Sequence, residues 1–344
     1  MVLFENKIKS VNIVDGLGAP VADAALHRLG TLLQPEMVDV AEVQIAEKLS
    51  GTWLYAGDFW PHFGHFLFES VSRLWAIDHL DQPIDGLIFS SPKPNTALEC
   101  KDPSFQRDML RRVGADLPVR ILSQNTQVEN LIVPRQGCGL GPLAVGTPEF
   151  RDFIRDKLRG KIKPNAAKKV YISRLGYRLR RGGLFAESRI EHNLKMEGYQ
   201  SFSPERVPLD EQIATYMGAE KIVSSDSTAL HVVAFLAKED QDIAILLRRK
   251  EGAKDILPNI VGCTGKLPLV IDRIKAFHSR DNLRHPNWST FAELDFEMVG
   301  KDLHAGGFIE APEVWGNLGF RRQRWLLNQY GEKLSCGFET QKIA

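Results

Sequence analysis

The sequence predicts an α/β protein in two domains, and three observations carry that prediction. Its 344 residues exceed what one core conveniently serves, so two domains are expected. A stretch rich in Gly and Pro, "RQGCGLGPLAVGTPEF" (135–150), reads as a linker between them. Beyond it, strand-like and helix-like segments alternate with a regularity that implies right-handed crossovers and a parallel sheet.

The alternation runs as follows. "EFRDFIRDKLRG" reads as a helix, "KKVYIS" as a strand, and "FAESRIEHNLKMEGY" as a helix with Ile190, Leu194 and Met196 at apolar positions. "PLDEQIATYMGAE" follows as a helix, "KIVSS" as a strand, "TALHVVAFLAKE" as a helix and "DIAILLRR" as a strand. This half reads as a Rossmann-type domain. The first part is mixed. "DGLIFSSP" (85–92) is a short apolar run stopped by Ser and Pro, as a buried strand would be. "PSFQRDMLRRVGA" (103–115) reads as a helix with Pro103 near its start and Gly114 at its end. "VRILS" (119–123) and "VENLIVP" (128–134) read as two more strands. The expected division is 1–140, 150–275 and a tail, 276–344, whose amphipathic "FRRQRWLLNQYGEK" is expected to pack as a helix across both domains.

Composition narrows the function. A hydrophobic fraction of 43% and a charged fraction of 25% are those of an ordinary globular chain. A formal net charge of +1 gives no basis for general nucleic-acid binding, so phosphate recognition has to be local. The four cysteines are far apart and form no C-x-x-C pair, which argues against a zinc ribbon or a disulfide-stapled fold. "MVLFENKIKS" carries charges where a signal peptide needs an apolar core, and "VVAFLA" and "IAILL" are too short to span a bilayer. A reducing, cytoplasmic location is expected, with peripheral membrane association left open.

Two strand ends are chemically loaded. In a parallel α/β sheet, ligands bind beyond the carboxyl ends of the strands, where helix N-termini offer free N–H groups. After the strand "VYIS" come Ser173 and Arg174, then Arg178, Arg180 and Arg181 in a loop bearing Gly. Guanidinium forks match phosphate oxygens two at a time, so the loop is expected to hold a diphosphate. The alternative is a solvated basic loop. The second strand end is "IVSSDSTALH" (222–231), where Ser225, Ser227 and Thr228 can donate to phosphate or ribose at a helix N-terminus. Simple N-capping by Asp226 or Ser227 is the alternative there. Neither G-x-G-x-x-G nor a Walker loop is present.

A third concentration of chemistry is "WPHFGHFLFE" (60–69), with His62, His65 and Glu69 among aromatic and aliphatic residues. Polar groups in such surroundings need partners or a task. The segment through Ala76 has the composition of a helix starting near Pro61, which aligns His62, His65, Glu69 and Arg73 on one face. The spacing lacks the i, i+4 histidine pair of H-E-x-x-H, so metal ligation is disfavoured. A structural hydrogen-bonded network is an alternative. Acid–base catalysis is favoured, with Glu69 ahead of His65 as the base and His62 and Arg73 placing the acceptor.

"HFGHFLFE", "VYISR" and "SSDSTALHVVAF", in that order and at this separation, resemble glycosyltransferase family 61 over about residues 50–250. The resemblance lays His65 and Glu69 on the family's His and acidic positions, Ser173 and Arg174 on its Ser-Arg pair, and Leu230 and His231 on the end of its later loop. Two departures stand out. His62 replaces a usual Asn, and Asp226, Ser227 and Thr228 replace a glycine-rich loop. What the resemblance implies is a GT-B-like fold, with two Rossmann-like domains whose parallel sheets face across a cleft. It further implies an inverting transferase without metal or cofactor. The donor would be a nucleotide-sugar bound by the C-terminal domain at Ser173, Arg174, Arg178, Arg181, Ser225, Asp226, Ser227, Thr228 and His231. The acceptor would be a glycan or glycoconjugate, in capsule or lipopolysaccharide assembly. Another GT-B-like transferase of polysaccharides, or a non-catalytic nucleotide-sugar or glycan-binding module, remains as an alternative.

Overall fold

In the computed structural model the chain divides into two compact units, Met1–Gly160 and Lys161–Ala344. The structure describes residues 1–3, 12–28, 31–92, 98–176, 179–283 and 286–343.

The N-terminal unit contains strands β1 (Val2–Leu3), β2 (Asn12–Ile13), β3 (Leu26–Arg28), β4 (Thr31–Leu33), β5 (Glu47–Asp58), β6 (Gly86–Ser90), β7 (Val119–Leu122) and β8 (Thr126–Ile132). Six of them form one sheet in the order β2-β1-β8-β5-β6-β7, while β3 and β4 pair as a hairpin. Strands β8, β5, β6 and β7 run parallel, and β1 and β2 add antiparallel at the edge. Strand β6 is buried throughout, which explains its unbroken apolar sequence. Tyr55, Ile88, Leu122 and Val128 join Val2 and Ile13 in the core. Helix α2 (Phe105–Arg112) links β6 to β7, and the hydroxyl of Ser104 caps it by accepting from the Arg107 N–H. Helix α3 (Pro148–Arg159) closes the unit, capped by Thr147 with Pro148 at the first turn.

The segment between β5 and β6 is not the continuous helix expected from 62 to 76. One α-turn, α1 (Phe63–His65), leads into a π-turn over Phe66–Ser70, whose closing bond runs from the Val71 N–H to the Phe66 carbonyl. A 3-10 segment, Leu74–His79, follows. Phe66, Phe68, Val71 and Leu74 are all buried, and Phe66 meets Phe59 edge-on at 5.5 Å. Packing of these large side chains overrides uniform helical geometry.

The expected linker is likewise folded structure. Gln136, Cys138 and the glycines around them are buried. The Gly137 N–H donates to the Ser72 carbonyl, and the Gln136 amide oxygen accepts from His27 N–H. The stretch is therefore part of the N-terminal unit, and so is α3.

The C-terminal unit holds a five-stranded, wholly parallel sheet of β9 (Lys169–Ile172), β11 (Gln200–Phe202), β12 (Lys221–Ser225), β13 (Asp242–Leu246) and β14 (Leu269–Ile271), ordered β11-β9-β12-β13-β14. Helices α4 (Glu187–Met196), α5 (Leu209–Gly218), α6 (Ala229–Leu236) and α7 (Ile256–Thr264) make the crossovers. By appearance the strands lie 2-1-3-4-5, so the chain reverses direction of growth beside β9 and β12.

A second sheet, ordered β10-β16-β15-β17, joins β10 (Gly183–Leu184) to β15 (Ile274–Arg280), β16 (Phe291–Leu294) and β17 (Phe338–Lys342). The tail is thus not simply helical: it supplies three strands besides α8 (Phe296–Ala305) and α9 (Phe320–Leu334). Leu326, Leu327, Tyr330 and Leu334 of α9 rest on the same core as Tyr171, Val223, Phe291 and Trp315. Among the described residues, no helix is long and apolar enough to cross a membrane.

Candidate active site

In the N-terminal unit, chemistry gathers at the carboxyl ends of β5 and β6. The first strand bulges between Tyr55 and Gly57, and Gly57 adopts φ +103°, which an L side chain rarely tolerates. The bulge turns Asp58 into the protein. There the Ser90 hydroxyl donates to Asp58 Oδ1 at 2.6 Å, and Tyr55 OH lies 3.0 Å from the same hydroxyl. Burial pushes the Asp58 carboxyl above its ordinary value of 3.8 and raises the Tyr55 phenol.

Above this group sits the histidine–carboxylate pair. His65 Nδ1 lies 2.6 Å from Glu69 Oε2, one turn along the chain. The Glu69 side chain is 2% exposed and that of His65 is 38% exposed. Glu69 Oε1 faces Arg28 Nε at 3.4 Å, and the Arg28 guanidinium lies over the Trp60 ring at 4.1 Å. The Trp60 and His62 rings flank His65, at 5.3 and 5.6 Å between centroids. His62 itself is exposed, with extended backbone just before α1.

Arg73 does not belong to this surface. It is 1% exposed, and its two terminal nitrogens donate to the carbonyls of Asp23, Ala24, Ala25 and Pro134. Because the π-turn shifts the residues after Ser70, Arg73 turns inward and Arg28 becomes the cation beside Glu69. The expected role of Arg73 in placing an acceptor is corrected accordingly. Arg28 is the residue that sequence reasoning missed: it comes from β3, 41 positions before Glu69, with no local motif to reveal it.

In the C-terminal unit the reversal point of the parallel sheet brings two of the expected segments together. Ser173 and Arg174 follow β9, while Asp226, Ser227 and Thr228 follow β12, which is its hydrogen-bonded neighbour. The loop after β9 is fixed by Glu187, whose Oε1 accepts from the Arg174 N–H at 2.7 Å and from the Tyr171 hydroxyl at 2.9 Å. Burial pushes the Glu187 carboxyl up, opposed by those two bonds. Ser173 is buried and its hydroxyl accepts from the Leu175 N–H. Ser225 Oγ is buried without a hydrogen-bond partner among the described residues.

Asp226 does not present its carboxylate to solvent. Its side chain is fully buried, with Oδ1 2.6 Å from Arg248 Nε and Oδ2 3.5 Å from Arg249 Nε. Gly252 makes room for it: a Cβ there would fall 1.5 Å from Asp226 Oδ2. Burial, and then the repulsion of Arg174 and Arg249, lowers the Arg248 guanidinium to about 10, against the opposing pull of Asp226. Three guanidiniums, of Arg174, Arg248 and Arg249, therefore act on Asp226, and Glu187 brings a second carboxylate near Arg174 and Arg248. Arg248 and Arg249 were read only as the end of the strand "DIAILLRR"; their position beside β12 emerges from strand order.

The other expected donor residues are placed less directly. His231 is buried on α6 with Nδ1 3.1 Å from Asn259 Oδ1 on α7, so that nitrogen serves helix packing. Thr228 precedes α6 without a side-chain cap bond, and Ser227 Oγ accepts from the Ala229 N–H at 3.4 Å. Arg181 is exposed on a 3-10 turn, Leu179–Arg181. Arg178 lies outside the described residues. Among the described residues, no three His, Cys, Asp or Glu side chains stand close enough to hold a metal ion.

Residues 63–243, just over half of the chain, match the model of the family described as Glycosyltransferase 61. The chain belongs to the glycosyltransferase 61 family. The match spans both halves of the chemistry, from His65 and Glu69 to Arg174 and the loop after β12. Membership of glycosyltransferase 61 implies a transferase acting between a sugar donor and a glycan acceptor. Arg28, Arg248 and Arg249 fall outside the matched segment. No curated protein matches the chain.

Proposed function

We propose that this family member is a metal-independent, inverting glycosyltransferase of the GT-B type, acting in the cytoplasm. Its donor is a nucleotide-sugar, its acceptor a hydroxyl of a glycan or glycoconjugate, and its setting capsule or lipopolysaccharide assembly. The observation that carries the reading is the 2.6 Å contact between half-exposed His65 and buried Glu69.

With Nδ1–H donated to Glu69, the lone pair of His65 resides on Nε2. That nitrogen takes the acceptor proton while the acceptor oxygen forms a bond to the anomeric carbon. The carbon–oxygen bond to the diphosphate breaks, and its electron pair leaves with the nucleoside diphosphate. Negative charge grows on the leaving group, and Arg174, Arg248 and Arg249 stabilise it. On this reading His65 is the base, and the buried Glu69, favoured from the sequence alone, holds its tautomer and orientation, a division that their unequal exposure supports. Arg28 and Trp60 fix Glu69 and the imidazole in place.

Release of nucleoside diphosphate from a panel of nucleotide-sugars, with a glycan acceptor and with chelator present, tests the reading. Turnover in EDTA with inverted product stereochemistry is expected. Turnover that requires an added divalent cation, or a product of retained configuration, would overturn it.

A further inference from the structure

Beside the arginine corner of the C-terminal unit lies a cavity of about 580 Å³ that no part of the proposed reaction yet uses. Phe277 of β15 and Ile343, just past β17, supply apolar lining. Trp288, in the loop between β15 and β16, stands 59% exposed at its wall. Asn287 and Gln341 bring two amides to the polar part, and Arg249, Lys250 and Lys342 bring three cations. Among the described residues, no carboxylate lines the cavity. All of these residues lie outside 63–243.

Arg249 belongs to both places. It lines the cavity, and its Nε is 3.5 Å from the Asp226 carboxylate that also holds Arg248. A ligand seated in the cavity therefore has its anionic end beside the guanidiniums at the reversal point of the sheet. Asn287 is oriented as well: its Oδ1 accepts from the Ser289 N–H and hydroxyl at 2.8 and 2.7 Å, leaving its NH2 as the group to donate.

The lining selects a ligand class. A purely apolar molecule would cover Lys250 and Lys342 while offering neither an anion, which is costly. A bare polyphosphate would leave Trp288 and Phe277 without use. A neutral sugar would meet two amides and no carboxylate, and would leave the three cations without an anionic partner from the ligand. A planar heteroaromatic ring joined to a diphosphate uses aromatic, amide and cationic groups together: the indole as stacking face, the Asn287 NH2 at a ring carbonyl, and the cations at the phosphates. We infer that this cavity holds the nucleoside of the donor, with Trp288 as its stacking platform. The second sheet, rather than the parallel one, then sets which nucleotide is accepted. The inference rests on the donor reading above and adds the base-recognition surface to it.

Calorimetric titration of the full chain with uridine diphosphate, guanosine diphosphate and inorganic pyrophosphate tests it, on wild type and on Trp288→Ala, Trp288→Phe and Arg248→Ala. Wild type should bind one nucleotide better than pyrophosphate. Trp288→Ala should weaken that nucleotide by about 10- to 100-fold, the usual effect of losing one base–aromatic stack, and leave pyrophosphate unchanged. Trp288→Phe should recover most of the loss. An unchanged urea midpoint will show that the exposed substitution leaves the fold intact. Nucleotide affinity unaltered in Trp288→Ala, with Arg248→Ala still weakening both ligands, overturns the cavity and leaves the donor reading standing. Nucleotide bound no better than pyrophosphate by wild type also overturns it. Absence of binding by all three ligands overturns the cavity and the arginine cradle together.

Discussion

Glu69 Oε2 and His65 Nδ1 stand 2.6 Å apart, and only the histidine reaches solvent appreciably. This asymmetry divides the labour between them. Replacing His65 by Asn should lower turnover by about two to four orders of magnitude, the usual contribution of a general base, with donor affinity kept. Glu69→Gln should cost less than His65→Asn, because the amide still holds the imidazole through a hydrogen bond. Steady-state kinetics decide the matter: a His65→Asn enzyme within a few-fold of wild type rules out His65 as the base.

Arg73→Ala is a stability variant in the first place. Four backbone carbonyls lose their donor in a buried site, and each unsatisfied group costs about 1–3 kcal/mol. A loss of at least about 3 kcal/mol in urea unfolding is expected. Near-wild-type stability would mean that water or a neighbour replaces the guanidinium.

Gly252→Ala probes the phosphate corner without removing a charge. The added methyl lies where Asp226 Oδ2 now sits, so the carboxylate must shift and release its hold on Arg248 and Arg249. Pyrophosphate binding should weaken several-fold in calorimetry. Unchanged affinity would show that the carboxylate does not set the guanidinium geometry.

Asp58 gives a dependence on pH. Its folded-state value lies above the ordinary 3.8 because of burial, so the folded protein binds its proton more tightly than the unfolded chain does. The stability that follows is complete below about 3.8 and is lost as pH rises through the folded value. Asp58→Asn can still accept from Ser90 but cannot ionise. Urea midpoints measured upward from pH 4 should show wild type losing ground to the variant as pH rises. A difference that is constant, or that moves the other way, would refute the assignment.

How much of this was legible in the chain depends on range. The regular alternation after residue 148 placed α3, α4, α5 and α6 and strands β9, β12 and β13 near their observed positions, because each depends on local periodicity, while β11, α7 and β14 were not read. The rule that ligands bind at strand ends picked out Ser173, Arg174 and the loop after β12, which strand order then sets side by side. What stayed hidden was long-range. Arg28 meets Glu69 across 41 positions, and Arg248 reaches Asp226 across 22. The inward turn of Arg73 follows from a π-turn that no helical periodicity encodes. Glycine and proline at 135–150 suggested a linker, yet small residues also permit close packing, as Gly137 does where a Cβ would meet Phe150 at 2.6 Å. The second sheet was missed because its strands come from residues 183–184, 274–280, 291–294 and 338–342, without a regular spacing.

The guanidinium of Arg73 ties residues 23–25 and 134 to one side chain, although these points lie up to 61 positions away along the chain. Segments fastened by one group open together or not at all. Amide hydrogens around Ala24–Ala25 and in the stretch after Pro134 should therefore exchange with deuterium at matched rates, as one cooperative unit. Arg28 sits three residues beyond Ala25, so the same fastening sets how often the Glu69 carboxylate loses its cationic neighbour. The lifetime of a competent His65–Glu69 pair is thereby governed by a residue that touches neither of them.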